Sequence, residues 1–287
     1  YSIYLNIGLI FLIVILFIFY YNKENKQQDF IENKLPYIHK AFEEGDVKSV
    51  FYEAKKILDL SPNNTIVESY YNKITTVVSI FSTPSNADVY FKFYSDTSDN
   101  WIFLGETPLN DIRIPQKLVS LKFSNNNQEF ITKTHPYYLN DNDNVFILPK
   151  NDFQEDKDFK LFLGRNVKLN FPGIDHIPNV KIDPYQISRT EVTNLQFQEF
   201  VSDGGYSNHE LWDFPIIIDG NEFTFENSIS KFVGVYGRPG PANWGYSRLL
   251  KGQEGFPVTG ISWFEARAYA KYMSLDLPNI YQWSNSA

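Results

Sequence analysis

The stretch from Pro257 to Trp283 constrains the fold of this chain more than any other part of the sequence. Ser262 precedes Glu265 by three residues, the spacing at which a serine hydroxyl and a glutamate carboxylate each satisfy a free backbone amide at the start of a helix. A helix is therefore predicted to begin at Trp263. Its apolar residues recur at four-residue steps and predict a buried stripe of Phe264, Ala268 and Tyr272.

A second helix is predicted directly after the first. Pro278 cannot continue a helix, because it lacks a backbone N–H and its ring clashes with the preceding turn. Asn279 and Gln282 then repeat the capping spacing ahead of Trp283. Thr193 and Gln196 show the same spacing earlier in the chain and predict a short helix that ends at Gly204.

The residues around these helices form a longer pattern that resembles the formylglycine-generating enzyme (sulfatase-modifying factor) superfamily. The matching stretch reads P-V-x-G-I-S-W-x-E-A-x-A-Y-A, followed by L-P and a tryptophan. The matching positions upstream are Ile187–Asn194, Gln196-Phe197, Phe200-Val201, Gly204–Tyr206, and Gly237–Pro241 with Trp244. The resemblance implies that residues 161–287 form an irregular α+β domain of this superfamily, present here only in its N-terminal part.

The resemblance also implies a chemistry that these residues do not contain. The founding activity of the superfamily uses a pair of cysteines, with copper, to oxidise a substrate cysteine to formylglycine. Those cysteines and the calcium-binding loops lie in the C-terminal part of the family's domain. No catalytic, cofactor-binding or metal-binding residue is therefore assigned in this chain, and copper and calcium are expected only in a complete enzyme of this type.

The matched polar and aromatic residues have a structural interpretation that needs no catalysis. Buried tryptophans usually pack in cores, and a capping glutamate already has a role. We expect cap, core and turn roles for Glu191, Asn194, Trp244, Trp263, Glu265 and Trp283.

Composition excludes several kinds of site. The sequence of 287 residues has no cysteine, so it can form neither a disulfide nor a thiolate metal site. Its net charge of -8 and the absence of a basic run argue against nucleic acid as a partner. No two histidines lie at helical ligand spacing, and the four are spread over three predicted regions, at His39, His135, His176 and His209.

Residues 3–21 predict a transmembrane helix. The stretch has no charged residue, and its length matches the roughly 30 Å hydrocarbon core of a bilayer. A signal peptide is the alternative, although no small-residue cleavage site follows. The chain opens without methionine and is interpreted as an internal fragment of a single-pass membrane protein whose C-terminal domains lie outside the cytoplasm.

Two regions are predicted between residue 21 and the last domain. Residues 29–77 have helical periodicity and resemble one tetratricopeptide-type hairpin, which predicts a helical stalk or, as the alternative, part of a peptide-binding array. Residues 78–149 contain short β-rich runs separated by turn residues, which predict a small all-β module. Ser82, Pro84 and Ala87, with Leu104–Leu109 one strand later, resemble the PEGA family of extracytoplasmic modules.

Residues 150–160 are predicted to be a linker because they are charged and poor in apolar residues. Just before them, Asp141–Asn144 alternates oxygen-bearing side chains like a calcium loop. The stretch lacks the central glycine and the closing glutamate, so a polar turn is favoured.

The order of these regions resembles the extracytoplasmic half of bacterial transmembrane serine/threonine kinases. The first hypothesis is therefore a sensor or binding region anchored in the membrane and fused to a cytoplasmic kinase, with an unknown extracytoplasmic ligand or protein as its partner. The second is a membrane-anchored formylglycine-generating oxidase that acts on sulfatases. The third, a relative that performs non-haem iron oxidation, would need a histidine cluster that the sequence does not show.

Overall fold

A computed structural model describes residues 21, 25, 28–139, 145–150, 156–169, 173, 177–212, 216–245 and 251–286. The described residues form two compact units. Unit 1 contains those up to residue 150 together with Leu163–Asn166, and unit 2 contains the others from residue 156 onward.

Unit 1 opens with helices. Helix α1 covers 28–43, α2 covers Val47–Leu60 and α3 covers Thr65–Ile74. Asp46 caps α2 by accepting a hydrogen bond from the amide of Ser49 at 3.1 Å, and Asn64 caps α3 in the same way. Helices α2 and α3 therefore begin directly after the turns at Gly45-Asp46 and Ser61–Asn64.

The strands of unit 1 follow in two sheets. Their bounds are β1 Thr75–Thr83, β2 Asp88–Phe93, β3 Ile102–Glu106, β4 Leu109–Pro115, β5 Val119–Asn125, β6 Gln128–Thr134 and β7 Val145–Ile147. One sheet has the order β4-β1-β7, and the other has the order β3-β2-β5-β6 with antiparallel pairing throughout. A 3-10 helix covers Pro136–Leu139.

Helix α2 packs on the β3-β2-β5-β6 sheet, so the helices do not form a separate stalk. Phe51 of α2 is 1% exposed, and its ring contacts Phe91 and Phe93 of β2 at centroid distances of 5.4 and 5.7 Å. Lys48 of α2 also pairs with Asp96 at 3.2 Å. The predicted division between a stalk and a β module is therefore wrong, because the aromatic inner face of β2 is buried by α2.

The boundary between helix and strand also differs from the prediction. Helix α3 ends at Ile74 and β1 begins at Thr75, three residues before the predicted change at Val78. Thr75 has a β-branched side chain and a hydroxyl that bonds the carbonyl of Tyr71 at 2.6 Å, which favours leaving the helix there. The PEGA resemblance remains a prediction.

Two predictions fall on residues that lie outside this description. The predicted transmembrane helix at 3–21 is one, apart from Tyr21, and the turn at Asp141–Asn144 is the other. Within the described residues, no helix is long and apolar enough to cross a bilayer. Membrane insertion of residues 3–21 remains a prediction.

Unit 2 has short elements joined by long irregular segments. Its strands are β8 Phe159–Phe162, β10 Val180–Ile182, β11 Tyr185–Ser188, β12 Ile216–Ile218 and β13 Asn221–Phe223. Strand β9 covers Arg165–Val167, of which Arg165 and Asn166 belong to unit 1. Its helices are α4 Asn194–Ser202, α5 Phe225–Ile229, α6 Trp263–Tyr272 and α7 Ile280–Ser286. Strand β8 begins at Phe159, so the predicted linker of 150–160 ends earlier than expected. The expected irregular α+β architecture matches these elements.

The core of unit 2 lies between α4 and α6. Phe197 of α4 stacks on Tyr269 of α6 at 5.4 Å, and Phe200 contacts the same ring edge-on at 5.8 Å. Because Tyr269 faces α4, the buried stripe of α6 contains Ala268, Tyr269 and Ala270. The predicted stripe is confirmed at Ala268, and its other two members, Phe264 and Tyr272, are partly buried and pack against the same core.

Candidate functional site

The N-terminus of α4 is the first component of the candidate site. Thr193 accepts a hydrogen bond from the amide of Gln196 at 3.3 Å, and the Gln196 carboxamide oxygen accepts one from the amide of Thr193 at 2.9 Å. This is the predicted capping box. It fixes the position of the next residue, Asn194, at the start of the helix.

Asn194 joins two loops. Its side chain is buried, donates to the carbonyl of Gln253 at 2.9 Å and accepts a hydrogen bond from the indole of Trp244 at 3.3 Å. Its backbone amide donates to the carbonyl of Phe256 at 2.8 Å. The loop 234–245 and the segment 251–258 are therefore held together over α4.

The second component is the N-terminus of α6. Glu265 is 3% exposed, and its carboxylate accepts hydrogen bonds from the amide of Ser262 at 2.6 Å and from the hydroxyl of Tyr206 at 2.5 Å. Ser262 in turn accepts from the amide of Glu265, so the predicted capping box is confirmed. Burial raises the pKa of Tyr206, and the neighbouring Glu265 carboxylate raises it further. Tyr206 therefore remains a proton donor to Glu265 at neutral pH.

Close backbone contacts explain two glycines in this region. Gly260 has a φ of +73°, and a Cβ there would lie 2.9 Å from the amide oxygen of Asn243. A Cβ on Gly234 would lie 2.4 Å from the carbonyl oxygen of Trp244. A larger side chain at Gly260 would push that residue away from the loop 234–245, and one at Gly234 would force that loop open.

Large apolar side chains are exposed around this framework. The amide of Leu195 donates to the carbonyl of Glu254 at 3.0 Å, which places Leu195 beside the segment that contains Phe256. The amide of Val235 donates to the carbonyl of Trp244 at 3.0 Å, which fixes Val235 within the loop 234–245. The exposed fractions range from 50% to 66%. We call this set the apolar surface of unit 2: Leu195, Val235, Tyr236, Phe256 and Trp263.

The structure places the predicted structural residues in different environments, and Glu191 is exposed on the segment before α4. Asn194, Trp244 and Glu265 are buried and hydrogen-bonded, as expected of core and cap residues. Trp263 and Trp283 are 55% and 56% exposed, so the prediction of core roles is wrong for them. Both tryptophans lie on the outward side of a short helix, where the sequence pattern alone does not distinguish a packed ring from an exposed one.

Sequence reasoning missed several members of the apolar surface. Val235 and Tyr236 precede the turn at Gly237, and Phe256 precedes Pro257. Consecutive apolar residues inside turn-rich segments are a signal that could have identified them, because such segments usually run over the surface.

The described histidines do not form a metal site. His39 contacts the hydroxyl of Tyr70 at 2.8 Å in unit 1, the ring of His135 accepts from the amide of Tyr137, and His209 lies beside Phe225 in unit 2. His176 lies outside the described residues. Among the described residues, no group of three or more His, Asp or Glu side chains could hold a metal ion.

The copper site of formylglycine-generating enzymes does not fit the residues of this chain. That site is built from cysteine thiolates, and this sequence contains no cysteine. The buried carboxylate of Glu265 is already occupied by the amide of Ser262 and the hydroxyl of Tyr206. No oxidation step is therefore assigned to these residues.

Comparison with known proteins identifies the family of the second half. Residues 148–287 match the family model described as the sulfatase-modifying factor enzyme 1-like domain. The hercynine oxygenase of Mycolicibacterium smegmatis is 27% identical over 109 residues, which cover 37% of this chain and 24% of that protein. The hercynine oxygenase of Mycobacterium tuberculosis is 26% identical over 110 residues, which again cover 37% of this chain and 24% of that protein. The match thus spans 24% of the length of these relatives. No solved structure matches the chain.

Proposed function

We propose that the sulfatase-modifying factor domain at residues 148–287 recognises a polypeptide through its apolar surface, and that it is the binding region of a membrane-anchored sensor. The observation that supports this most is the contrast in burial between polar and apolar side chains around Asn194 and Glu265. The polar side chains of Asn194 and Glu265 are buried and hydrogen-bonded within the fold, while the apolar side chains around them are exposed.

A polypeptide with large apolar side chains is the partner that this surface fits. Contiguous exposed apolar residues on a folded protein mark interaction sites, and aromatic side chains are enriched in them. Tyr236, Phe256 and Trp263 are all more than half exposed. The backbone beneath them is fixed by the hydrogen bonds of Asn194, so binding would not require the surface to be ordered first.

Peptide selection tests the proposal. Random peptides displayed on phage are selected against the full 287-residue chain and against a Phe256→Asp/Trp263→Asp variant. We expect the unaltered chain to enrich peptides rich in Leu, Phe and Trp, and the double variant to lose that enrichment. Ile217→Asp is the control, because Ile217 is 55% exposed on β12 and lies outside the apolar surface. Equal enrichment by the chain and the double variant would contradict the proposal.

The membrane anchor is a part of the proposal that rests on sequence. Residues 3–21 contain no charged residue, and the order of regions resembles that of transmembrane serine/threonine kinases with such a domain outside the cytoplasm. Ligand binding would then change the state of a cytoplasmic kinase. Extraction of cell membranes with alkaline carbonate tests the anchor: the chain should stay in the pellet, and a variant with Ile10, Leu12 and Ile15 each changed to Asp should be released.

A formylglycine-generating oxidase is the second candidate, favoured by the family match. The relatives are named oxygenases, but the match covers 24% of their length, so their activity is not transferred to this chain. Mass spectrometry of a cysteine-containing peptide after incubation with the full-length protein, copper and oxygen tests this alternative. Conversion of the cysteine to formylglycine would favour the oxidase, and an unchanged peptide would favour recognition.

A further inference from the structure

Strand β6 forms one edge of the β3-β2-β5-β6 sheet in unit 1. It pairs with β5 on one side, and within the described residues no strand pairs with its other side. An edge strand presents backbone donors and acceptors that can pair with a strand of another molecule. The partner that such an edge accepts depends on which backbone groups and side chains lie along it.

The hydrogen-bond pattern identifies the backbone groups of β6 that point away from the sheet. The amide of Tyr94 donates to the carbonyl of Leu118 at 3.1 Å, which adds one hydrogen-bonded pair to the register of β2 and β5. Such pairs alternate along antiparallel strands, so β5 bonds β2 at its even-numbered residues and β6 at its odd-numbered ones. The odd-numbered residues of β5 lie opposite the even-numbered residues of β6. The N–H and C=O groups of Glu129, Ile131 and Lys133 are therefore directed toward the open edge.

The turn between β5 and β6 agrees with this assignment. Asn126 and Asn127 both have positive φ, at 49° and 64°, as a two-residue type I′ turn requires. The residues that flank such a turn, here Asn125 and Gln128, form a hydrogen-bonded pair. Gln128 thus belongs to the even-numbered residues that bond β5.

The side chains of the edge residues are exposed on the outward face of the sheet. The Glu129 side chain is 57% exposed, Ile131 is 46% exposed and Lys133 is exposed as well. Phe130 and Thr134, which point to the other face, are buried. An acidic and a basic side chain therefore lie at equal distances on either side of Ile131.

We infer that β6 pairs edge to edge, in antiparallel orientation, with β6 of a second copy of the chain. A twofold axis normal to the sheet, midway between the two Ile131 residues, places Glu129 of each copy opposite Lys133 of the other. Each opposed pair of edge residues then exchanges two backbone hydrogen bonds. An edge that is complementary to itself under a twofold rotation is what a symmetric dimer requires.

The charges select this register over others. Sliding one strand by four residues would place Glu129 opposite itself or Lys133 opposite itself. Parallel pairing in register would likewise place like charges side by side. Like charges directly opposite each other on neighbouring strands are destabilising, and opposite charges are stabilising. Backbone pairing thus provides attraction, and the side chains fix the alignment.

The present contacts of the two charged side chains allow the new pair to form. Glu129 accepts from the Lys122 ammonium through Oε1 at 2.9 Å, and a carboxylate can accept further hydrogen bonds through its second oxygen. The Lys133 ammonium donates to the Tyr94 hydroxyl at 3.0 Å. Exchanging that neutral hydroxyl for a carboxylate gives a stronger, charge-assisted hydrogen bond. Neither contact uses a backbone group of the edge.

Sedimentation equilibrium of the 287-residue chain in density-matched detergent tests the dimer. We expect a monomer–dimer equilibrium that weakens with salt, because exposed charge pairs are screened. Ile131→Pro should remove the dimer, since proline lacks the N–H that bonds the second copy and is tolerated where that N–H faces away from the sheet. An unchanged circular dichroism spectrum of this variant would show that β6 still pairs with β5.

Charge reversal tests the register. The dissociation constant should rise about 10-fold in Lys133→Glu and in Glu129→Lys, since each change opposes like charges. The double variant Glu129→Lys/Lys133→Glu should return to within about 3-fold of the unaltered chain, because it restores the pair in reverse. Lys40→Glu, at a lysine side chain that is 75% exposed on α1, is the control.

Cross-linking tests the position of the axis, because the chain has no native cysteine. Residues of a hydrogen-bonded antiparallel pair have Cα atoms about 5.5 Å apart, a distance that a disulfide spans. Ile131→Cys should therefore form a disulfide-linked dimer under mild oxidation. Phe103→Cys, at a site 55% exposed on β3, at the other edge of the sheet, should not.

Three results would overturn the inference: a monomer at every concentration, a charge-reversed double variant no better than either single one, or equal cross-linking at positions 131 and 103. The dimer does not depend on peptide recognition by unit 2. Phe256→Asp should leave the dissociation constant unchanged, so failure of peptide recognition and failure of dimerisation are distinguishable.

Discussion

Buried polar side chains determine the local structure of both units. In unit 1, Ser82 donates to the carbonyl of Pro84 at 2.6 Å, so the 2.6 Å bond between Ser82 and Thr107 requires Thr107 to be the donor. The Thr107 oxygen also accepts from the amide of Ala87 at 3.1 Å. Three of the residues that suggested a PEGA module therefore act together with Thr107 in one hydrogen-bonded turn.

Thr107→Val should destabilise unit 1. Thr107 is 1% exposed, and valine preserves its shape while removing the hydroxyl that serves Ser82 and Ala87. Leaving buried partners unsatisfied costs about 1–3 kcal/mol in the free energy of unfolding. Thr107→Ser keeps the hydroxyl and loses one methyl group, at a cost of about 1 kcal/mol. Urea denaturation followed by circular dichroism measures both, and a smaller loss in the valine variant would contradict this account.

Stability should decrease at alkaline pH because of Tyr71. Burial raises the pKa of this phenol from 10.0 to about 12, while Arg113 opposes that shift. A phenol whose pKa is higher in the folded state contributes stability that is complete below pH 10 and is lost as pH rises toward 12. Tyr71→Phe should therefore flatten the fall in unfolding free energy over this range.

Tyr37→Phe is the control for this measurement, because Tyr37 is 48% exposed on α1. Urea denaturation at intervals between pH 9 and 12 gives the required comparison. An identical alkaline decrease in the Tyr71→Phe variant and the unaltered chain would show that another group is responsible.

At the level of elements, helix starts could be predicted and several strands could not. The spacings Thr193–Gln196, Ser262–Glu265 and Asn279–Gln282 all predicted the starts of helices that the structure contains. These signals are local, because a cap requires only residues within one turn.

The sequence pattern does not identify strands β4 and β6, because both contain many polar residues. β4 contains Asn110, Asp111 and Arg113, and β6 alternates around Phe130 and Ile131 with charged residues. Strand β4 is formed by pairing with β1, which is distant in sequence. Strand β6 is formed by pairing with β5, and in the sequence only the turn between the two strands indicates this pairing.

The packing of α2 on the sheet should dominate the stability of unit 1. Phe51→Ala removes a ring that is 1% exposed and leaves a cavity against Phe91 and Phe93, at a cost of about 3–5 kcal/mol. Phe103→Ala, at a site 55% exposed, should cost far less. Amide hydrogen exchange measures both, with faster exchange expected in peptides of unit 1 and no change in those of unit 2. Acceleration confined to α2 would show that the helix and the sheet are not one cooperative unit.

At the scale of the whole molecule, the sequence identified the family of the second half but not the boundaries of the units. The fixed order of motif residues between Ile187 and Trp283 predicted the sulfatase-modifying factor domain that the family match supports. The packing of helices and strands into one unit could not be predicted from the sequence, because it depends on a contact between α2 and the aromatic inner face of β2.

Only the buried residues of the candidate site could be predicted, because the exposure of the others depends on contacts between segments that are distant in sequence. Glu265 has a role that follows from capping, and Asn194 directly follows the capping residue Thr193, so structural roles were expected for both. The exposure of Trp263 and Phe256 depends on the path of the loops over α4, which no local spacing specifies.

Hydroxyl-radical footprinting of the 287-residue chain, with and without a peptide enriched by selection, tests peptide recognition by unit 2. We expect peptide binding to protect Tyr236, Phe256 and Trp263 from oxidation and to leave the oxidation of Ile217 unchanged. Peptide binding without protection at those three residues would contradict the claim that the apolar surface is the recognition site.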